Sequence, residues 1–220
     1  MFPRAKNRRA ISTVLTTMII VVASVVLATG VILYGTSLFQ TNASSESIST
    51  TGTQLWLDSK GSSGWAWGAF AVRNNGDKML SIDQIQIRGQ AVPFLNWYAD
   101  TNATRVTNGN FQSAMNYTSM ITSPNSPNGA LNNGTAIGVA IPNGCTNTSG
   151  TLIIQLSSTK PTLCMTQRNG PVSLAPGEKA IIYFKVQQYL LTSVDASSSN
   201  SVAVYAGKVG SPVSVTAQTK

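Results

Sequence analysis

One stretch limits what this chain can become: the apolar run from Val14 to Phe39, entered directly from a basic head. The run is roughly 26 residues, so as a helix it reaches roughly 39 Å at about 1.5 Å per residue. A bilayer core of about 30 Å needs about 20 such residues. A helix of that length can cross a membrane, with turns to spare. Arg4, Lys6, Arg8 and Arg9 precede it, and no acid appears before Glu46. Lys and Arg stay on the cytoplasmic side, which places everything after Gln40 outside.

Three readings of this head compete. A secretory signal peptide has an apolar core of only about 7–15 residues, followed by a small-residue cleavage site. Here the run is longer and ends without a clean Ala-x-Ala. A single-pass anchor fits the physics equally well. The third reading comes from resemblance. Arg9-Ala10 followed by Ile11-Ser12, set against a long apolar helix at the N-terminus, resembles the class III signal peptide of archaeal type IV pilins and archaellins. In that family a prepilin peptidase cuts after a basic-small pair on the cytoplasmic side. The helix stays on the mature protein and packs into a filament core. The resemblance implies a cut between Ala10 and Ile11.

The helix is expected from about Ser12 into the region 41–53. On its wheel Thr13, Thr17, Ser24, Ala28 and Gly35 recur at spacings of four and seven and form one small-residue face. Small residues let helix backbones approach closely in apolar surroundings. Ordinary helix composition is the plainer alternative. Bacterial pilins usually carry a glutamate near the start of the mature helix. Here the fifth residue after the expected cut is Leu15. Archaellins usually show a Gly and an acid early in the helix. This chain has Ile-Ser-Thr-Val-Leu-Thr-Thr instead, which points to the pilin branch.

The net charge of +8 invites an acidic partner. Without the four N-terminal cations, eleven basic and seven acidic residues remain, a net of +4. These are scattered singly, whereas a nucleic-acid surface clusters Lys and Arg. No nucleic-acid partner is expected. Cys145 and Cys164 lie in polar, turn-rich surroundings and, outside the cell, are read as a disulfide. It would close a loop of about 20 residues and contribute about 3 kcal/mol. Two buried free thiols are the alternative.

Residues 41–53 are Ser/Thr-rich, poor helix formers. They are read as a frayed helix end or flexible neck, with Gly52 as breaker. Strands dominate beyond. Trp65 to Val72 alternates large and small residues up to Asn75-Gly76, a hairpin signal. Leu80, Ile82, Ile85 and Ile87 follow, with a bulge expected at Asp83-Gln84. A strand over residues 90–98 is pushed to an edge by Pro93. The runs 152–156, 180–186, 202–205 and 213–215 complete seven or so strands, with a tight turn at Ala175-Pro-Gly-Glu. This pattern reads as a β-sandwich. Residues 99–149 are crowded with Asn, Gly, Ser, Thr and Pro. They read as an insertion on the outer face with a short hairpin of its own.

The motifs running from Val72 to Ile82 and from Leu174 to Phe184 are similar to the paired-strand signatures of the immunoglobulin-like domain of archaellins and archaeal pilins. The expected fold is thus α+β. A cleaved leader (1–10) precedes the core helix and neck (11–53). An immunoglobulin-like antiparallel sandwich (54–220) follows, carrying the insertion.

No catalytic chemistry is expected. Without His there is no imidazole metal site and no Ser-His-Asp triad. Two cysteines do not make a structural zinc site. Neither metal nor cofactor is expected. Trp56, Trp65, Trp67 and Trp97 read as core, Trp65 and Trp67 on one face; stacking on a sugar is the alternative. Asn-x-Ser/Thr triplets stand at Asn42, Asn102, Asn116, Asn133 and Asn147. Chance supplies about four, so the stronger signal is that the last four lie inside the insertion. The resemblance makes glycans there plausible.

The expected function is a structural subunit of an extracellular archaeal type IV pilus-like filament, used for adhesion or surface attachment. Its partners would be copies of itself, the prepilin peptidase, the pilus assembly platform, and the membrane before assembly. The alternatives are an archaellin of the motility filament, or an anchored extracellular binding module that never polymerises.

Overall fold

The computed structural model describes residues 7–43, 46–57, 65–117, 141–146 and 150–220. The chain divides into two compact units, Met1–Ser45 and Glu46–Lys220. The first is one helix, α1 (Asn7–Ala43). It is rich in Val, Ile and Thr, which are weak helix formers in water. In an apolar medium the preference reverses, because a helix satisfies every backbone group within its own segment.

Among its described residues the second unit holds eleven strands: β1 (Ile48–Leu57), β2 (Ala66–Asn74), β3 (Leu80–Ile87), β4 (Gln90–Ala91), β5 (Trp97–Asp100), β6 (Thr151–Ile154), β7 (Leu163–Gln167), β8 (Val172–Leu174), β9 (Lys179–Val186), β10 (Ser199–Ala206) and β11 (Val209–Thr219). One layer runs β1-β2-β9-β5-β7-β6, the other β4-β3-β10-β11, with β8 also on β3. The layers join through β11, whose first eight residues pair with β10 and whose last three pair with β1. The chain is therefore α+β with a sandwich-like β-domain. The β1/β11 pair is parallel, so the sheet is mixed and not purely antiparallel.

Between the layers lies the main core. Leu55, Phe70, Ile182 and Phe184 meet Ile82, Ile85, Ile87, Val202 and Val204 there. The period-2 alternation sends Ile181 and Tyr183 to the opposite face, into a second core with Trp56, Trp67 and Tyr98. Trp65 packs on that face beside Trp67, as alternation requires. The first layer is thus buried on both sides. That is why β2 is buried at every residue except Arg73.

Several local readings hold. The β3/β10 register slips between Gln84 and Ile82, which leaves Asp83 as the bulge. Ala175–Glu178 is a type II turn: Gly177 has φ +79°, and Glu178 N donates to Ala175 O at 3.0 Å. Others are corrected. Residues 48–53 are strand, not neck, and Gly52 (φ +63°) sits in a bulge of β1 instead of breaking it. Asn75-Gly76 makes no hairpin. The edges of β2 are already taken by β1 and β9, so the chain crosses to the other layer. Buried Asn74 organises this crossover. Its amide donates to Lys78 O and Leu174 O, and its Oδ1 accepts from Gly76 N. Residues 90–98 likewise split at Pro93 into β4 and β5, in different layers.

Gly68 of β2 faces Phe184 of β9 across the ladder. A Cβ there would stand 2.2 Å from the ring's Cζ. The aromatic ring covers the glycine and fills the place of its missing side chain. Gly68→Ala should destabilise the β-domain by about 2–3 kcal/mol through overpacking. Phe184→Leu in the same chain should recover part of that loss, so the two changes are non-additive in denaturant unfolding. Equal stability of Gly68→Ala and the parent would contradict this packing.

Candidate functional site: the apolar helix and the bridged insertion

From Ser12 to Leu38, α1 is long and apolar enough to cross a membrane, and none of this span is buried within the chain. Such a helix fits a membrane anchor or a signal sequence alike. Its polar atoms are turned inward on itself. The hydroxyls of Thr16, Thr17, Ser24, Thr29 and Thr36 donate to carbonyls three or four residues earlier, at 2.7–3.0 Å. A hydroxyl spent this way carries little cost into an apolar medium. Apolar residues are exposed all round, from Val14 and Leu15 to Leu33 and Tyr34. On the small-residue face, Thr17 and Ser24 are self-bonded. Ala28 adds only a methyl, and a Cβ on Gly35 would meet nothing within 4 Å.

The insertion is not an outer loop in its described part. Residues 101–117 fold back over the second face of the first layer. Val106, Phe111 and Met115 bury there against Trp56, Tyr98 and Tyr183. One carboxylate starts this course. Asp100, at the end of β5, accepts four hydrogen bonds. Oδ2 takes them from Arg105 Nε (2.8 Å) and Cys164 N (2.9 Å). Oδ1 takes them from Arg105 Nη2 (3.1 Å) and Asn102 N (2.9 Å). A buried carboxylate so completely bonded is a structural pin. Arg168 lies nearby. Burial lowers its pKa and the charge of Asp100 pulls it back up.

Further on, Thr107 caps the short helix α2 (Asn108–Phe111). Buried Asn110 donates to Arg105 O and Pro161 O. Tyr183 Oη donates to Asn116 O at 3.0 Å. Burial raises the Tyr183 pKa far above its ordinary value. Cys145 and Cys164 form a disulfide, which ties the returning end of the insertion to β7. Asp100 therefore holds the residue after which the insertion leaves and also, through Cys164, the strand to which it returns. The Asp100–Arg105 pair escaped the sequence reading; a lone acid and a base five residues later carry no distinctive signal.

The expected site residues fall in different places. Ala10 and Ile11 are within the backbone of α1, as is Asn42. Asn133 and Asn147 lie outside the described residues. Asn102 is exposed; its Oδ1 accepts from Thr104 N and Oγ1, and its Nδ2 has no partner among the described residues. Asn116 differs, because its Nδ2 donates to Leu156 O at 2.8 Å. No group of three His, Cys, Asp or Glu able to hold a metal is assembled among the described residues.

Lys185 is the odd residue of the second face. It is 2% exposed, pairs across the ladder with Trp67, and sets its Nζ 3.4 Å from the centroid of the Trp65 ring. The ring attracts the cation. Burial outweighs that attraction and lowers the Lys185 pKa to about 8. No protein-family model matches the chain, and no curated protein matches it.

Two outcomes follow from this geometry. The folded state releases the Lys185 proton near pH 8, while the unfolded chain holds it to its ordinary value of 10.5. Between those values the unfolded state binds more protons, so stability should rise with pH across that window. Lys185→Met should be more stable than the parent at pH 7 and should lose that slope, as read by thermal unfolding from pH 6.5 to pH 11. A parent curve that falls through this window would contradict the assignment. Glycopeptide mapping of native protein should find Asn102 modified far more often than Asn116, whose nitrogen is already engaged. The reverse ranking would mean that the Asn116 contact is not kept.

Proposed function

We propose that this chain is a structural subunit of an extracellular archaeal type IV pilus-like filament, assembled through α1. The observation that carries this reading is the surface of α1. It is apolar all round and unburied within the chain, and the hydroxyls of Thr16, Thr17, Ser24, Thr29 and Thr36 are spent on the helix's own carbonyls. Such a surface must be covered by lipid or by other helices. The covering differs before and after processing. With Arg4, Lys6, Arg8 and Arg9 attached, the helix is held at the cytoplasmic face. Taking those cations into an apolar core would carry a large desolvation cost. A cut between Ala10 and Ile11 leaves one α-amine. The helix can then exchange lipid for its own copies, along the face of Thr17, Ser24, Ala28 and Gly35. The β-domain forms the outer surface, held firm in extracellular conditions by Cys145–Cys164. The family resemblance of Arg9-Ala10-Ile11-Ser12 supports the same order of events.

Arg9→Glu with Ala10→Glu should block cutting and leave an unassembled membrane precursor. Ser24→Phe or Ala28→Phe should be cut normally but give several-fold fewer filaments. The N-terminal peptide mass and the yield of sheared filaments read both. Filaments whose subunits begin at Met1 would sink the mechanism. A processed chain that stays in the membrane fraction would make it a non-polymerising anchor, and a mature N-terminus beyond Gly30 would make α1 a discarded signal peptide.

A further inference from the structure

β1 and β11 are laddered together only over Leu55–Leu57 and Ala217–Thr219. Before that ladder they part. β11 turns its pairing to β10 from Val209 to Thr216. β1 bulges at Gly52 between Thr51 and Gln54. The hydroxyls of Thr50 and Ser211, 2.9 Å apart, close the opening at its other end. What remains is a cleft of about 330 Å³, walled by one edge of each strand.

The lining has a consistent chemistry. Thr53, Ser214 and Thr216 present hydroxyls that have no protein partner among the described residues. Gln54 and Gln218 hold each other across the wall at 3.2 Å and keep further donors and acceptors free. Val213 and Val215 close its inner side, where they pack with the main core. Among the described residues no charged side chain lines the cleft. An anion or cation would find no countercharge there, and an apolar ligand would strand the hydroxyls. An added peptide strand does not fit either. It would need its flanking strands about 9–10 Å apart, twice the usual spacing. The ladder at one end and the Thr50–Ser211 bond at the other hold them too close.

We infer that this cleft binds a neutral saccharide. Each sugar hydroxyl both donates and accepts, as do the Thr, Ser and Gln groups that face it. Among the described residues no aromatic ring lines the cleft, so the affinity is weak, about millimolar for one sugar unit. Several copies on one particle would raise it through avidity.

The test uses the full chain in phosphocholine micelles, so that no detergent sugar competes. Amide chemical shifts are followed during titration with lactose, maltose and N,N′-diacetylchitobiose, with glucuronate as the charged comparison. At least one neutral sugar should give saturable shifts confined to residues 50–54 and 213–218. Thr53→Val and Thr216→Val should each weaken it about fivefold, with the remaining spectrum unchanged. Ser81→Ala, on β3, should not alter it. Absence of saturation by every neutral sugar at tens of millimolar would overturn the inference. So would tighter binding of glucuronate, or sugar binding unaffected by Thr53→Val and Thr216→Val. The measurement needs no filament, so its outcome is separate from that of the assembly experiments.

Discussion

The β-domain depends on a layer that is buried on both faces. β2 and β9 lie at its centre, and their side chains alternate between two cores. A half-buried sheet would need one partner layer; this one needs two. The second layer of the sandwich covers one face. The other is covered by the stretch after Asp100, and Leu152, Ile154, Leu163 and Met165, from β6 and β7 at the end of the same layer, join that core. The polar insertion is thus obliged to supply Val106, Phe111 and Met115 as a lid on Trp56, Trp67 and Tyr183. The disulfide and the four-bonded carboxylate of Asp100 hold that lid where it leaves and returns.

Crossing between layers recurs along the chain, and two of the crossings have a polar side-chain anchor. Asn74 ties the β2–β3 crossing to the end of β8. The type II turn at Gly177 carries the chain from β8 in one layer to β9 in the other. Between β9 and β10, Asp195 is held by Thr192 and Arg88, and the backbone N–H of Thr192 is the leading cause of its lowered pKa. At Asn74 and at Asp195 a buried or half-buried side chain meets backbone groups at the crossing. The alternative would be orphaned polar groups inside a sandwich.

The two units solve opposite problems. The β-domain buries most of its apolar side chains in its two cores. The helix turns most of its hydroxyls onto its own carbonyls and leaves its apolar surface unmet. A helix with such a surface fits a membrane anchor or a signal sequence alike.

The amino-acid order by itself determined the elements whose cause is local. The length and apolarity of residues 14–39 require a helix, because only a helix meets its own backbone bonds in an apolar medium. The alternation in β3 and β9, the bulge at Asp83 and the turn at Pro176-Gly177 follow from the same short-range rules. The Cys145–Cys164 pair was legible from its spacing and polar setting. Pairing of distant strands was decided only in three dimensions. Asn75-Gly76 has hairpin chemistry, yet both edges of β2 were already filled, so the local preference lost to the ladder. Nothing in residues 101–117 announces a core, since three apolar side chains among polar neighbours gain their value only against Trp56 and Tyr183. The cleft between β1 and β11 is likewise invisible in sequence. It exists because one strand changes partners halfway along its length, and only the assembled sheet sets where that change falls.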